Sequence, residues 1–437
     1  MAWDFETDPA FSEQLDWMSA FVREQVEPLD LVFREPADPF NPSLPGPKAA
    51  MAPLKRIVKE RGLWACHLGP ELGGKGFGQV KLGLMNEILG RSRFAPTVFG
   101  TQAPDTGNAE ILARFGTAAQ KSAFLQPLLD GEIASAFVMT EQQGGSDPSH
   151  FNCRAELIGD EWVINGEKWF ASHADFAKFL LVVAVTDPSV PIHQGASLLI
   201  VERDRPGLEV LRNVAVGIRE EIGTGVHGYL RFANCRVPRT NILGSPGQGF
   251  EIAQSRLGGG RIHHAMRTVG VLNKALDMMC ERALSRTTKG ELLSQKQMTQ
   301  EKIADSYTQI TQFRLHVLYA AWLLDKHKAY TREVRREISA IKAAMPGVLK
   351  DVVYRALHLH GSLGMSNETA LMSMWASVPE MGIVDGPTEV HKITVAKEVL
   401  RSRRAATGPW PTYHLPPNIE AAQARLASVL AGHAGGI

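Results

Sequence analysis

The sequence predicts an α+β chain in which helices come first, short strands fill the middle and long helices return. Three observations predict it. Phe11, Leu15, Met18 and Val22 recur at the spacing of one helix face. From about Ala136 to Gly249, short apolar or alternating runs stand between Gly, Pro, Asp and Asn turns. From Phe250 helical spacing resumes, in Ile262, Met266, Val269, Leu272, Leu276, Met279 and Ala283, and again in Ile303, Tyr307, Ile310, Phe313, Val317, Ala320 and Leu324. These patterns divide the chain into a helical domain over 1–135, a β domain over 136–249, a four-helix bundle over 250–405 and a tail over 406–437.

Taken in order, the first helices run through Leu54, Ile57 and Leu63 after a Pro-rich loop at 36–47. Gly69, Pro70, Glu71, Gly73, Gly74 and Gly76 make a turn cluster. The strands are expected at 134–139, 161–164, 180–185, 197–201 and 229–232. Gly223, Gly225 and Gly228 fit G-x-G-x-x-G, but they lie between strands and open no helix, so a hairpin or loop is the better reading. Pro346 removes a backbone donor inside a helix over 333–360 and should kink it. A Pro-rich stretch and a short helix close the chain.

A chain of 437 residues with net charge +1 can bury a large core and shows no basic stripe for nucleic acid. No apolar run is long enough to span a bilayer. The acidic start shows neither a signal core nor a transit pattern, and residues 434–437 are no peroxisomal address. Cys66, Cys153, Cys235 and Cys280 lie far apart. A reduced, cytoplasmic, metal-free protein is the expectation. There is no G-x-S-x-G and no P-loop, and the His358/His360 and His263/His264 pairs lack further ligands at useful spacing.

The chemistry concentrates in two stretches. A strand ends in Met139, Thr140 and Glu141 and turns through Gly144, Gly145, Ser146 and Asp147; glycines let backbone approach a ligand, and the hydroxyls suit ring heteroatoms and phosphate oxygens. Asn165-Gly-Glu-Lys168-Trp-Phe170-Ala-Ser172 follows. The second stretch is Asp385-Gly386-Pro387-Thr388-Glu389, where a turn precedes a helix. By itself that turn reads equally as an N-cap by Asp385 or Thr388.

In this order the motifs resemble the acyl-CoA dehydrogenase family, from about Gly62 to Lys397. The resemblance implies the family's three-part fold, FAD as cofactor and α,β-dehydrogenation of an acyl-CoA thioester to the 2-enoyl-CoA. Such chemistry needs a base for the α-proton, an acceptor for the β-hydride and donors for the carbonyl oxygen. Asp385 matches the position of the family's Glu base, and the Asp385 amide would help hold the thioester oxygen. The shorter side chain needs a backbone about 1.5 Å closer to the substrate, and a site dried by acyl-CoA would raise the carboxyl pKa. Gly260 holds the family's other base position, leaving Asp385 as the carboxylate.

The same resemblance gives Phe137, Met139, Thr140, Gly145, Ser146, Phe170, Ala171 and Ser172 to the flavin, with Thr388 and Glu389 beside them. Arg286, Gln297, His358, Gly361 and Ser362 would meet the FAD of a partner subunit, which implies a homodimer or homotetramer. Ser146, Gly258, Gly259, Gly260, Arg261 and Gly386 would line the acyl-CoA channel, whose glycines admit a wide or branched acyl group. An electron-transferring flavoprotein would accept the electrons, in fatty acid β-oxidation. The Asp-Gly-Pro ending and Gly260-Arg-Ile-His-His264 are closest to the branch whose animal members are fused to kinase-like or hydrolase domains, with the dehydrogenase module alone expected here. Two alternatives stay open: a flavin oxidase on this fold, of nitroalkane or acyl-CoA oxidase type, and a helical partner protein without cofactor.

Overall fold

Residues 6–33, 45–217 and 221–431 are described by a computed structural model, with the side chains of 257, 258, 428 and 430 outside the description. Asp8 accepts from the Phe11 amide and so starts α1 (Pro9–Phe21). The first layer continues through α2 (Glu27–Val32), α3 (Pro45–Glu60), α4 (Gly78–Leu89), α5 (Ala95–Val98), α6 (Asp105–Phe115), α7 (Ala118–Gln120) and α8 (Gln126–Asp130). Its core gathers Phe11, Met18, Val22, Met51, Leu54 and Val58, while Ile57 is exposed. The Pro-rich loop falls at 36–44 outside the described residues, and at 45–47 it is already helix.

The strands are β1 (Ser135–Val138), β2 (Arg154–Ile158), β3 (Glu161–Ser172), β4 (Phe179–Val185), β5 (Ala196–Glu202), β6 (Leu208–Val214), β7 (His227–Pro238) and β8 (Ile242–Leu243), with the helical turn α9 (Ile192–Gly195) before β5. They form one sheet in the order β6-β7-β3-β2-β4-β5-β8, and β1 pairs with β4 in parallel. Burial on both faces explains the unbroken apolar run of β4. Leu180, Val182 and Ala184 join Ile164, Leu230 and Val237 on one face. Phe179, Leu181 and Val183 pack on the other against Ile111 and Leu112 of α6. Gly223 bridges Asn213 beside the β6–β7 pairing and opens no helix, as expected of a loop; residues 218–220 lie outside the described residues.

The bundle follows: α10 (Gly249–Ser285), a small hairpin of β9 (Thr287–Thr288) and β10 (Glu291–Leu292), α11 (Gln297–His327), α12 (Arg332–His360), α13 (Ser362–Met365), α14 (Leu371–Ile383) and α15 (Thr388–Arg401). Helix α10 is the hub, packing on α11 and α12 and on α4 and α6 of the first layer. The heptad-like apolar steps of α10, α11 and α12 form one core, but Tyr307 is exposed. Helix α12 runs on through Pro346 without interruption. The tail carries α16 (Leu415–Ala431), exposed along its described residues.

Candidate active site

The centre lies where α10, the start of α6 and the α14–α15 junction meet. Arg256, Gly260, His263, His264 and Arg267 share one face of α10 because they step by three or four residues. With Ala103, Thr106, Gly107 and Asp385 they line a cleft. Gly107 is required there, since a Cβ would come 2.8 Å from the Arg256 side chain.

Asp385 is no N-cap: Pro387 holds the cap position of α15 with no side-chain cap, and Thr388 Oγ1 donates back to the Gly382 carbonyl at 3.2 Å. The Asp385 side chain is 24% exposed and stands 3.9 Å from His264 Nε2. Its backbone occupies the left-handed region, φ 56°, followed by Gly386 at φ 102°. Three donors converge on its carbonyl: Arg261 Nε at 3.1 Å, Arg261 Nη2 at 2.9 Å and His391 Nε2 at 3.2 Å. Arg261, expected in the acyl channel, thus directs its guanidinium to the main chain beneath the carboxylate. Gly386 fits because a Cβ there would press to 3.0 Å from His391 Nε2.

Burial alone would push the Asp385 carboxyl up, but His264, Arg256, Arg261 and Lys342 outweigh it and hold it below the ordinary value of 3.8. His264 contributes only when protonated, and burial lowers it to about 4. At neutral pH, then, the two arginines and Lys342 are the cations acting on the carboxylate. Lys342, itself lowered to about 8 by burial, donates to the Met381 carbonyl at 2.6 Å. The cations of the cleft therefore lower the Asp385 pKa, whereas drying by acyl-CoA is expected to raise it.

Arg256 joins this cleft to the sheet. Its guanidinium sits 4.2 Å from the Phe137 ring centroid, and Nε donates to Asn108 at 2.9 Å. Beyond Phe137 the expected flavin stretch is pinned from beneath. Glu141 and Lys168, both buried, pair at 2.8 Å. Lys168 also donates to the Met139 carbonyl at 2.8 Å, and Glu141 accepts the amides of Asn152 and Cys153. The Trp169 amide donates to the Thr140 carbonyl at 2.8 Å, tying the loop to β3.

What this leaves open matches a flavin. Gly145 and Ser146 are exposed, and a Cβ at Gly145 would meet nothing within 4 Å. Phe170, at φ 54° in a bulge, is 44% exposed and stacked on Trp169 at 5.2 Å. The Trp169 Nε1 is buried without a hydrogen-bond partner among the described residues. Ser172 Oγ meets His227 Nδ1 at 2.8 Å. Ala171 departs from expectation, because its side chain is buried in the sheet core and only its backbone can face a ligand.

Other expected residues lie apart from the cleft. Arg286, Gln297, His358, Gly361, Ser362 and Glu389 are exposed. Gly259 is buried in α10, Gly260 borders the cleft, and Gly258 lies in α10 with its burial outside the description. Sequence reading missed Arg256, His264, Lys342 and His391. Only the face-sharing spacing along α10 could have flagged the first two.

A helical layer, a central sheet and a helical bundle, with a carboxylate cleft beside an open aromatic and hydroxyl loop, define a flavoenzyme of the dehydrogenase class. The acyl-CoA dehydrogenase N-terminal, middle and C-terminal domains match residues 13–132, 136–235 and 247–400, so the chain belongs to the acyl-CoA dehydrogenase family, whose members are FAD-dependent oxidoreductases. It is 38% identical to acyl-CoA dehydrogenase family member 10 of Mus musculus over 90% of this chain and 37% of that protein. It is 37% identical to FadE2 of Mycobacterium tuberculosis, named for the same activity, over 92% and 94% of the two chains. A solved structure named for an acyl-CoA dehydrogenase of Mycobacterium abscessus superposes with TM-score 0.82 at 36% identity, covering 91% of this chain and 99% of that one. The chain thus spans under two fifths of the mouse relative, in line with the fused animal branch, and nearly all of the mycobacterial one.

Proposed function

We propose that this chain removes hydrogen across Cα–Cβ of an acyl-CoA thioester with Asp385 as the base. The observation that carries it is a carboxylate held ionised in a cleft and linked, through Arg256, to Phe137 at the edge of the flavin loop. Asp385 takes the α-proton onto a carboxylate oxygen. Arg261 and His391 keep its main chain in the left-handed conformation that aims the side chain into the cleft. The Asp385 amide offers a hydrogen bond to the thioester oxygen. FAD, when bound, supplies the hydride acceptor that no side chain provides. Phe137, Met139, Thr140, Gly145, Ser146, Phe170 and Ser172 are the residues that would hold it.

The exposed Arg286, Gln297, His358, Gly361 and Ser362 suit contact with the cofactor of a second copy, in a homodimer or homotetramer. An electron-transferring flavoprotein is the proposed acceptor, β-oxidation in the cytoplasm the proposed setting, and 135/136, 249/250 and 405/406 the proposed domain boundaries. Among the described residues no helix is long and apolar enough to cross a membrane.

The test is anaerobic bleaching of the flavin across straight, branched and polycyclic acyl-CoAs. Asp385→Asn is expected to retain bound FAD and to lose bleaching by a factor of about 10² or more. Bleaching at the parent rate would overturn the assignment, and peroxide formed in air with acyl-CoA would move the chain to the oxidases.

A further inference from the structure

Once Asp385 has taken the α-proton, that proton must leave before the next turnover. The carboxylate reaches solvent through the cleft, which the acyl group of the proposed substrate would occupy. A second cavity lies behind it. This small cavity is lined by Lys55, Trp64, His67, Gln102 and Asp105 and shares Thr106 with the cleft of Asp385.

The walls of both spaces carry buried polar atoms with no partner among the described residues: both ring nitrogens of His67, Oε1 of Gln102 and, on the cleft side, Nε2 of His263. A dry polar atom of this kind is costly, so such atoms mark places that hold water. The surroundings fix how each can act. Gln102 commits its Nε2 to Asp105 at 3.0 Å, which leaves its oxygen as an acceptor. Asp105 accepts from the Ser135 amide and hydroxyl. Burial and the neighbouring Arg267 lower His67 to about 4, so at neutral pH one ring nitrogen donates and the other accepts.

We propose that the two cavities form one hydrated proton path, running from Asp385 past Thr106, Gln102 and His67 to the surface beside Lys55, which clears the base while acyl-CoA occupies the cleft. The path rests on the reading of Asp385 as base. The substrate Cα–H bond breaks and its proton forms O–H on Asp385. That O–H then breaks toward a cleft water, each water passes one proton onward, and one proton reaches bulk solvent as the carboxylate is restored. No oxidant or reductant takes part. His67 and Gln102 are positioning residues, since neither touches the reacting carbon.

The test uses the full chain with its flavin bound. 3-Thiaoctanoyl-CoA has an acidic α-hydrogen, and its sulfur takes the place of the carbon that would lose hydride, so α-deuteration in D2O reports proton traffic through Asp385 alone. His67→Phe and Gln102→Leu are expected to slow deuteration at least about tenfold, with flavin content and single-turnover bleaching by octanoyl-CoA within about twofold of the parent. His67→Gln, which keeps a donor and an acceptor, should recover most of the rate. If either variant folds and exchanges at the parent rate, the path is overturned; Thr106→Val serves if neither folds. A parent enzyme that neither bleaches nor exchanges would instead overturn the reading of Asp385 itself.

Discussion

Asp385 illustrates how a side chain's role is set by what holds its backbone. A non-glycine residue at φ 56° is uncommon and persists where its surroundings over-determine it. Arg261 and His391 do so by sharing one carbonyl. The motif order placed the carboxylate, but nothing in the spacing of Arg261 and His391, on two different helices, announced that they meet beneath it. The cation-rich setting has a kinetic consequence. Because its surroundings hold Asp385 below the ordinary 3.8, the carboxylate is already ionised across the neutral range. The rate parameter kcat/KM for flavin bleaching should therefore be flat in Asp385 ionisation from about pH 8 to about pH 5 and fall only in the acid carboxylate range. A limb with a midpoint near neutrality that disappears in an Asp385 variant would contradict this.

Among the elements, β3 and the end of β1 depend on Glu141 and Lys168. The sequence showed the loop as a ligand-facing turn; it could not show that the loop's underside is an ion pair, because twenty-odd intervening residues fold back to bring the two together. Removing one partner of a buried pair leaves an uncompensated charge, at a cost of about 3–5 kcal/mol. Lys168→Met should lower stability by that order, read from urea midpoints, and should weaken flavin retention. Lys168→Met combined with Glu141→Gln should recover part of the loss. Equal midpoints for parent and single variant would exclude the pair as the loop's anchor. Helix α10 was legible as bundle core from Ile262 to Ala283, and its polar stripe was equally present in the sequence. Only contact with α6 and the α14–α15 junction makes that stripe a site.

At the scale of the whole molecule, the three-layer order was readable because helical and strand periodicities change at two places in the chain. Ile57 and Tyr307, which keep the helical spacing yet are exposed, sit on helices where periodicity marks a face but does not say how wide it is. Among the described residues, five histidines are held low mainly by burial: His67, His264 and His391 to about 4, His263 to about 3, and His227 also below the ordinary 6.5. Below the ordinary value the unfolded chain binds protons that the folded chain refuses, so stability is full above pH 6.5 and declines as pH falls through the lowered values. The urea midpoint should hold from about pH 8 to about pH 7 and drop steeply toward about pH 4. An unchanged midpoint at about pH 5 would mean the histidines titrate normally.

Gly260 borders the cleft of Asp385, and a Cβ built on it meets nothing within 4 Å. On the proposed reading of Asp385 as base, the scaffold keeps two mailboxes for one carboxylate, one on the turn before α15 and one, empty of any side chain, on α10. Moving the acid from the first to the second changes the direction from which a substrate is approached and leaves the surrounding frame intact. A lineage could cross between the two arrangements by passing through a chain that carried both.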